Sequence, residues 1–220
     1  MNLISLRICN DAPTSLERRA AARKASVTAL VLAIFVLPVY AQSYRVIHSF
    51  QGSDGCFPMA GVTIDAAGNL YGTTGECGAG GYGTAFKMAL RDSGRTFATI
   101  YVFGIQRGDG GYPYTQLTRG THGWLYGTTA FGGSGGWGTV FRLRPSASEA
   151  GSWSEDILYN FTGGNDGSCP YAPVIFDQTG NLYSTTIWGA PDHAPQPRGC
   201  EDGHGTQAGG PVVLDVARRA

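Results

Sequence analysis

The chain has 220 residues, and its 16 Lys and Arg residues balance its 16 Asp and Glu residues. No Lys/Arg cluster follows residues 1–41, which argues against a nucleic-acid-binding function. The 34 glycines come with frequent aromatic residues, and that combination predicts tight turns in a folded chain rather than disorder.

The N-terminal segment has the features of an export signal. Basic residues, Arg18, Arg19, Arg23 and Lys24, precede an apolar run from Ala25 to Leu37, and Val39-Tyr40-Ala41 follows. A basic region, an apolar core of about 7–15 residues and an A-x-A-like site define a secretory signal peptide. The run is shorter than the stretch of about 20 residues that a transmembrane helix needs, with an uncleaved anchor as the alternative. We therefore predict a signal helix in residues 1–41 and a mature chain that is secreted, periplasmic or held at the cell surface.

The chain beyond this segment is an internal repeat. The pentapeptide LYGTT at residues 70–74 recurs at 125–129 and, as LYSTT, at 182–186. An Asp-Gly…Pro element and an apolar stretch precede each copy, and a glycine-rich segment follows it. A period of about 55 residues indicates a tandem array of one supersecondary unit. Tyr71, Tyr126 and Tyr183 are therefore interpreted as residues that pack neighbouring units together, with ligand stacking as the alternative.

Each unit contains about four short apolar or alternating runs. Runs of about five residues rich in Val, Ile, Thr, Tyr and Phe, bounded by Gly, Asp, Asn and Pro, predict antiparallel strands. Four strands in a unit of this length is typical of a β-propeller blade, with a β-solenoid as the runner-up. The predicted fold is all-β, a propeller-like array of three four-stranded blades. Such an array forms an incomplete ring, because propellers carry about 4–8 blades. The blades are assigned to residues 42–100, 101–159 and 160–206, with a divergent tail at 207–220.

The repeat has a recognisable consensus. Gly-Asn-Leu-Tyr-Gly-Thr-Thr, a glycine-rich stretch and Gly-Thr-Val-Phe resemble the GloVer-type tandem repeat of exported bacterial proteins, the "choice-of-anchor" family. The resemblance extends over about residues 44–206. It implies a secreted or surface-associated, propeller-like protein, and it transfers no catalytic residue.

The third copy departs from the pattern after Thr206, where Val-Phe is expected and Gln207 follows. One hypothesis is a disrupted reading frame at this point, or a fragment of a longer array. The alternative is that Val212-Val213-Leu214 is the displaced strand of a degenerate last repeat.

Four cysteines follow the signal segment. Cys56 and Cys77 lie in the first repeat and Cys169 and Cys200 in the third, and the second repeat has none. In each pair one cysteine lies beside the Asp-Gly…Pro element and the other in the glycine-rich stretch. In an exported chain this both-or-neither pattern predicts the disulfides Cys56–Cys77 and Cys169–Cys200. A metal site is the alternative, but CxxC spacing is absent and the histidines do not accompany the cysteines.

No catalytic, cofactor-binding or metal-binding residue is predicted. Four histidines fall at unrelated positions of the repeat: His48, His122, His193 and His204. The repeated acids Asp54, Asp109 and Asp166 are explained as turn residues, with Ca²⁺ ligation as the alternative.

Two function classes fit the sequence. The first is a non-catalytic binding or structural protein whose partner is a glycan or a cell-envelope component. The second is a propeller hydrolase or lyase that acts on polysaccharide. Catalysis needs polar residues that break the repeat pattern, and the sequence groups Asp192, His193, Glu201, Asp202 and His204 in the third glycine-rich stretch.

Overall fold

A computed structural model describes Leu16, Arg19, residues 44–147, residues 153–189 and the backbone of Val213–Val216. The chain divides into two units, Met1–Arg45 and Val46–Ala220, and all the repeats belong to the second. The predicted signal peptide lies outside the described residues apart from Leu16 and Arg19. In the described part of the chain, no helix has the length and apolar character needed to cross a membrane.

The first repeat forms a four-stranded antiparallel sheet, sheet 1. Its strands are β1 (Thr63–Ile64), β2 (Leu70–Thr74), β3 (Thr84–Arg91) and β4 (Gly94–Val102), and they pair in chain order. Each strand therefore neighbours the one before it, and short turns join β1 to β2 and β3 to β4.

The second repeat builds an equivalent sheet, sheet 2. Its strands β6 (Thr118–Arg119), β7 (Leu125–Thr129), β9 (Thr139–Arg144) and β10 (Ser154–Asn160) pair in that order. Two short strands, β5 (Gly110–Gly111) and β8 (Phe131–Gly132), form a separate ladder, and a single 3-10 turn (Thr121–Gly123) precedes β7.

The third repeat contributes sheet 3, whose described strands are β11 (Ile175–Phe176), β12 (Leu182–Thr185) and β13 (Val213–Val216). β13 comes from the segment assigned to the divergent tail. β13 pairs with β12 in the same register as the corresponding strands of the other repeats. The third residue of the motif lies opposite Leu214 in the third repeat, opposite Phe86 in the first and opposite Phe141 in the second. This pairing agrees with the displaced-strand alternative for the third repeat. The described fold is all-β, as predicted.

The turn from β1 to β2 explains the Asp-x-x-Gly-Asn segment. Oδ1 of Asp65 accepts hydrogen bonds from the backbone N–H groups of Ala67 and Asn69, and Oδ2 accepts them from the Asn69 amide and the Tyr71 hydroxyl. Partial burial acts to raise the pKa of Asp65, but these hydrogen bonds outweigh burial and lower it. Asp177 forms the same turn before β12.

Two apolar cores lie between successive sheets. The first joins residues of sheet 1, such as Tyr71 and Tyr101, to Leu125 and Phe141 of sheet 2. The second joins Tyr126, Val140 and Phe161 of the second repeat to Val174 and Leu182 of the third. Each sheet therefore buries one face against its successor, which a two-residue side-chain period permits.

The consensus LYGTT is explained by this packing. In sheet 2, Leu125 faces sheet 1 within the first core and Tyr126 faces sheet 3 within the second. The next residue is glycine because a ring covers it: a Cβ at Gly127 would lie 2.6 Å from Cζ of Phe141.

The first threonine of the motif forms a hydrogen bond to the next repeat, and the second forms one within its own repeat. Thr73 donates a hydrogen bond to the carbonyl of Thr115 over 3.1 Å, and Thr128 donates one to the carbonyl of Ala172 over 3.1 Å. Both bonds connect one repeat to the next. The following residue works inside its own repeat, because Thr74 contacts Thr84 over 2.8 Å and Thr129 contacts Thr139 over 2.7 Å.

The three tyrosines interpreted as packing residues occupy equivalent positions. Tyr71 and Tyr126 are buried in the first and second core respectively, and Tyr183 is half-buried. Burial raises the pKa of Tyr71 to about 12, and its hydrogen bond to the Asp65 carboxylate acts in the same direction. These side chains lie between elements of the fold and present no free ring face for a ligand at Tyr71 or Tyr126.

Candidate binding surface at the loop end

The antiparallel order gives each sheet two distinct ends. At one end lie the tight turns that join β1 to β2, β6 to β7 and β11 to β12. At the other lie the longer connections from β2 to β3, β4 to β6, β7 to β9 and β10 to β11, together with the residues before β1. We call this second edge the loop end. It collects the glycine-rich segments of the first two repeats and the Asp-Gly…Pro elements of all three.

The acid of each Asp-Gly element fastens a loop at this end. Asp54 accepts hydrogen bonds from the Gln51 N–H (2.7 Å) and from His48 (2.8 Å). Asp166 accepts them from the Thr162 N–H (2.9 Å) and the Tyr159 hydroxyl (3.0 Å). The hydrogen bond from Gln51 is the main cause of the lowered pKa of Asp54. These carboxylates act as turn residues, which agrees with the first of the two interpretations given for them.

The second repeat modifies this arrangement by inserting a glutamate. Asp109 accepts the Gly104 N–H over 2.9 Å, but the ring hydroxyl of Tyr101 donates to Glu155 over 3.1 Å. Glu155 in turn contacts Asp109 through their side chains. Oε1 of Glu155 and Oδ1 of Asp109 are buried, and no N–H or O–H group of the described residues donates to either. A proton carried by Glu155 and donated to Asp109 satisfies both oxygens.

Burial raises the pKa of Glu155 to about 9, and the neighbouring Asp109 carboxylate adds to the shift. Glu155 is therefore neutral at pH 7. Sequence reasoning missed this residue although a signal was present. Glu155 lies opposite Leu143 in sheet 2, and Phe97 lies opposite Met88 at the equivalent position of sheet 1. An acid therefore replaces the aromatic residue of the first repeat.

Aromatic side chains are concentrated at the loop end. They are Phe57, Tyr82, Tyr112, Tyr114, Phe131, Trp137, Tyr171 and Trp188. Several touch in series: Tyr82 meets Tyr112 edge-on at 5.5 Å between centroids, Tyr112 meets Phe131 at 5.1 Å, and Tyr114 stacks on Tyr171 at 5.4 Å. Part of this aromatic surface is open to solvent, since Tyr82 is 45% and Phe57 57% exposed.

Three of these rings, those of Tyr82, Tyr114 and Trp137, lie against glycines. A Cβ at Gly104 would lie 2.2 Å from Cδ2 of Tyr82, and a Cβ at Gly163 would lie 2.6 Å from Cε2 of Trp137. Tyr82 and Trp137 hold equivalent positions, because their carbonyls accept the N–H groups of Tyr112 and Cys169 of the following repeat over 2.8 and 3.1 Å. The first two repeats thus each place a ring at this position against bare backbone, with Tyr82 exposed and Trp137 half-buried.

A cleft of about 250 Å³ lies between the loops of the first two repeats. The rings of Tyr82 and Phe131 line it, with Gln106 and Asp109 as its polar side chains. The remaining lining residues are glycines: Gly104, Gly110, Gly111 and Gly132. A mainly apolar cleft with a few polar groups is the usual form of a small-ligand site.

The cysteines lie at the loop end as well. Cys56 and Cys77 form a disulfide, as predicted. Cys169 is also disulfide-bonded, whereas Cys200 lies outside the described residues, so the predicted Cys169–Cys200 pairing stays a prediction. Cys56 forms an antiparallel bridge with Glu76, and Ser168 forms the corresponding bridge with Trp188 in the third repeat. The structural equivalent of Cys56 is therefore Ser168, and Cys169 lies one residue further on.

The two described histidines lie apart from each other. His48 contacts Asp54, whereas His122 lies in the turn before β7 near Trp124. The cluster Asp192, His193, Glu201, Asp202 and His204 lies outside the described residues. Within residues 44–147 and 153–189, no group of three or more His, Cys, Asp or Glu side chains is arranged to hold a metal ion.

The fold and its loop-end surface define an all-β tandem-repeat protein in which each unit packs on the next. The family model for the Gloeobacter/Verrucomicrobia repeat matches residues 32–194, most of the 220-residue chain. The chain belongs to this repeat family, in agreement with the GloVer-type resemblance of its consensus. The comparison with curated proteins finds no match.

Proposed function

We propose that this protein is an exported, propeller-like repeat protein with a non-catalytic binding role outside the cell or at its surface. The observation that carries the proposal is the loop end. It combines an open aromatic surface, a cleft and loops that are fixed by Asp54, Asp109 and Asp166. Binding residues are commonly presented by loops on a rigid scaffold, because loops tolerate variation that the scaffold does not.

The propeller-like arrangement is supported by the repeated interface. Sheets 1 and 2 have four antiparallel strands each, and successive sheets bury equivalent residues against one another. Blades of a propeller pack in this way around a common axis. A crystal structure tests this: strands of successive sheets that radiate from one axis are expected, and parallel layers of sheets would contradict the proposal.

Export is supported by the oxidised Cys56–Cys77 pair, because disulfides persist outside the reducing cytosol. The test is expression of the full chain with its own N-terminus in a Gram-negative host, followed by fractionation. We expect recovery outside the cytoplasm with Cys56 and Cys77 oxidised. Cytoplasmic recovery with both thiols free would overturn this part of the proposal.

One observation favours a polysaccharide-acting enzyme as the second candidate. The neutral Glu155 and the Asp109 carboxylate lie beside the cleft, and a neutral and an ionised carboxyl are the groups that acid–base hydrolysis uses. Their facing oxygens are buried, however, so they satisfy each other rather than a substrate. Release of reducing ends from polysaccharide by the native chain, abolished in Glu155→Gln, would establish the enzyme and overturn the binding role.

A further inference from the structure

We propose that Tyr82 and Trp137 are sugar-stacking platforms and that the loop end binds a neutral glycan along successive repeats. This inference rests on the proposed binding function and names its ligand class. It assigns a site to two rings that lie against glycine at equivalent positions, one in each of the first two repeats.

The first argument is the geometry of the rings. Because Gly104 has no side chain, the Tyr82 ring lies directly against the backbone at that point, and the ring is still 45% exposed. A ring that is fixed by Gly104, Gly111 and Tyr112 and still partly exposed is a rigid apolar surface. The axial C–H groups of a pyranose form a matching apolar face, and a fixed aromatic side chain loses little conformational entropy on binding.

The second argument is the repetition of the device. Trp137 lies on Gly163 as Tyr82 lies on Gly104. Each platform also holds the next repeat through its carbonyl, which binds the N–H of Tyr112 or Cys169. The backbone spacing of the two platforms is therefore fixed by the repeat interface. A polymer of identical units is the ligand that suits binding positions repeated at a fixed interval.

The third argument is charge. Among the described loop-end residues, Arg45 and Arg107 are the only Lys or Arg residues, so an anionic ligand finds little compensation there. Asp54 and Asp166 are held by loop N–H groups and ring donors, and Asp109 by a loop N–H and Glu155. They are not free to bind a cation. Gln106 supplies an amide at the cleft, and amide groups pair with sugar hydroxyls. Neutral sugars fit this balance better than phosphate groups or acidic peptides.

The experiment measures binding of the full chain to a panel of immobilised neutral polysaccharides, namely β-glucan, xylan, mannan, galactan and chitin fragments. Tyr82→Leu and Trp137→Leu remove the planes but keep apolar volume, and we expect each to weaken binding at least tenfold. Tyr82→Phe keeps the ring and is expected to bind within about twofold of the native chain.

Trp124→Leu is the matched control. Trp124 belongs to the same repeat and packs against the same second core as Trp137. It lies next to the tight turn before β7, at the edge of the sheet opposite the loop end. We expect its loss to leave glycan affinity unchanged. Hydrogen exchange of β7 and β9 in every variant shows whether the fold is retained.

The outcomes separate the two proposals. No glycan binding, or equal loss in Trp124→Leu and Trp137→Leu with the fold retained, overturns the glycan inference. Binding of a peptide or envelope protein that is lost in Tyr82→Leu overturns it too, but leaves the binding function standing. Polysaccharide turnover without stable binding overturns both.

Discussion

Gly72 and Phe86 illustrate how the repeat is specified at the level of single residues. The Phe86 ring covers Gly72 so closely that a Cβ there would lie 2.5 Å from Cζ of the ring. In the third repeat the same register position has serine opposite leucine, Ser184 and Leu214. Both members of the pair differ, which indicates that the identity of one residue depends on the other.

We predict that Gly72→Ser destabilises the protein by about 1–3 kcal/mol, because the added atoms overlap a buried ring. Phe86→Leu alone leaves a void and also destabilises. The double variant, which reproduces the pair of the third repeat, is expected to lose less stability than the sum of the single variants. Urea denaturation of the four proteins measures this cycle, and strict additivity would contradict the coupling.

At the scale of strands and sheets, β10 carries an acid on a face that is otherwise apolar. Trp153 and Ile157 pack on the first core, and Glu155 lies between them in sequence. Its side chain joins Tyr101 of sheet 1 to Asp109 of the loop that follows. The charged groups around it are Asp109 and Asp156, and Asp156 is paired with Arg142 and Arg144.

This placement makes stability depend on pH. The raised pKa of Glu155, about 9, means that the folded chain holds a proton that the unfolded chain releases near pH 4.5. The contribution of Glu155 to stability is therefore greatest below the unfolded value and falls as pH rises from about 4.5 to 9. Glu155→Gln donates to Asp109 without a proton to lose, so its advantage over the native chain should grow through this range and reach on the order of 2–3 kcal/mol at pH 7.

Thermal melts between pH 4.5 and 9 check this prediction. Asp92→Asn is the control, because it removes an exposed carboxylate from the turn between β3 and β4 and is not one of the charged groups around Glu155. It is expected to keep the native pH slope. A Glu155→Gln variant with an unchanged slope would show that Glu155 does not carry the effect.

Sequence patterns predicted the sheets well but the loop end poorly. The LYGTT register located β2, β7 and β12, because the motif's own packing needs those residues. The rings at the loop end come from six separate segments, namely four connections, the residues before β1 and those after β12, so only the antiparallel order brings them together. Glu155 was overlooked for a related reason: its partners Tyr101 and Asp109 lie in another sheet and in a loop.

At the scale of the whole molecule, stability is distributed over interfaces between neighbouring repeats. Thr73 bonds the second repeat and Thr128 bonds the third through equivalent hydroxyls. In such an array each unit contacts only its neighbours, so damage at one interface should stay local.

We predict that Thr128→Val destabilises the protein by about 0.5–1.5 kcal/mol, because the half-buried Ala172 carbonyl loses one of its two hydroxyl donors and the Thr115 hydroxyl loses its partner. Amide hydrogen exchange is expected to rise in sheets 2 and 3 and to change little in sheet 1. Thr73→Val should instead affect sheets 1 and 2. Thr99→Val, at an exposed strand position, is the control with an expected effect within about 0.5 kcal/mol. Uniform exchange changes in both threonine variants would indicate one cooperative unit.

The repeat-to-repeat hydrogen bonds also bear on how the chain folds. The bond from Thr63 to Leu117 spans 54 residues and the bond from Thr118 to Val174 spans 56. Every new interface therefore closes a loop of nearly the same length, at nearly the same entropic cost. The rate at which each further repeat folds onto the array should depend on that constant separation. We therefore expect this rate to stay the same in a longer array of these repeats.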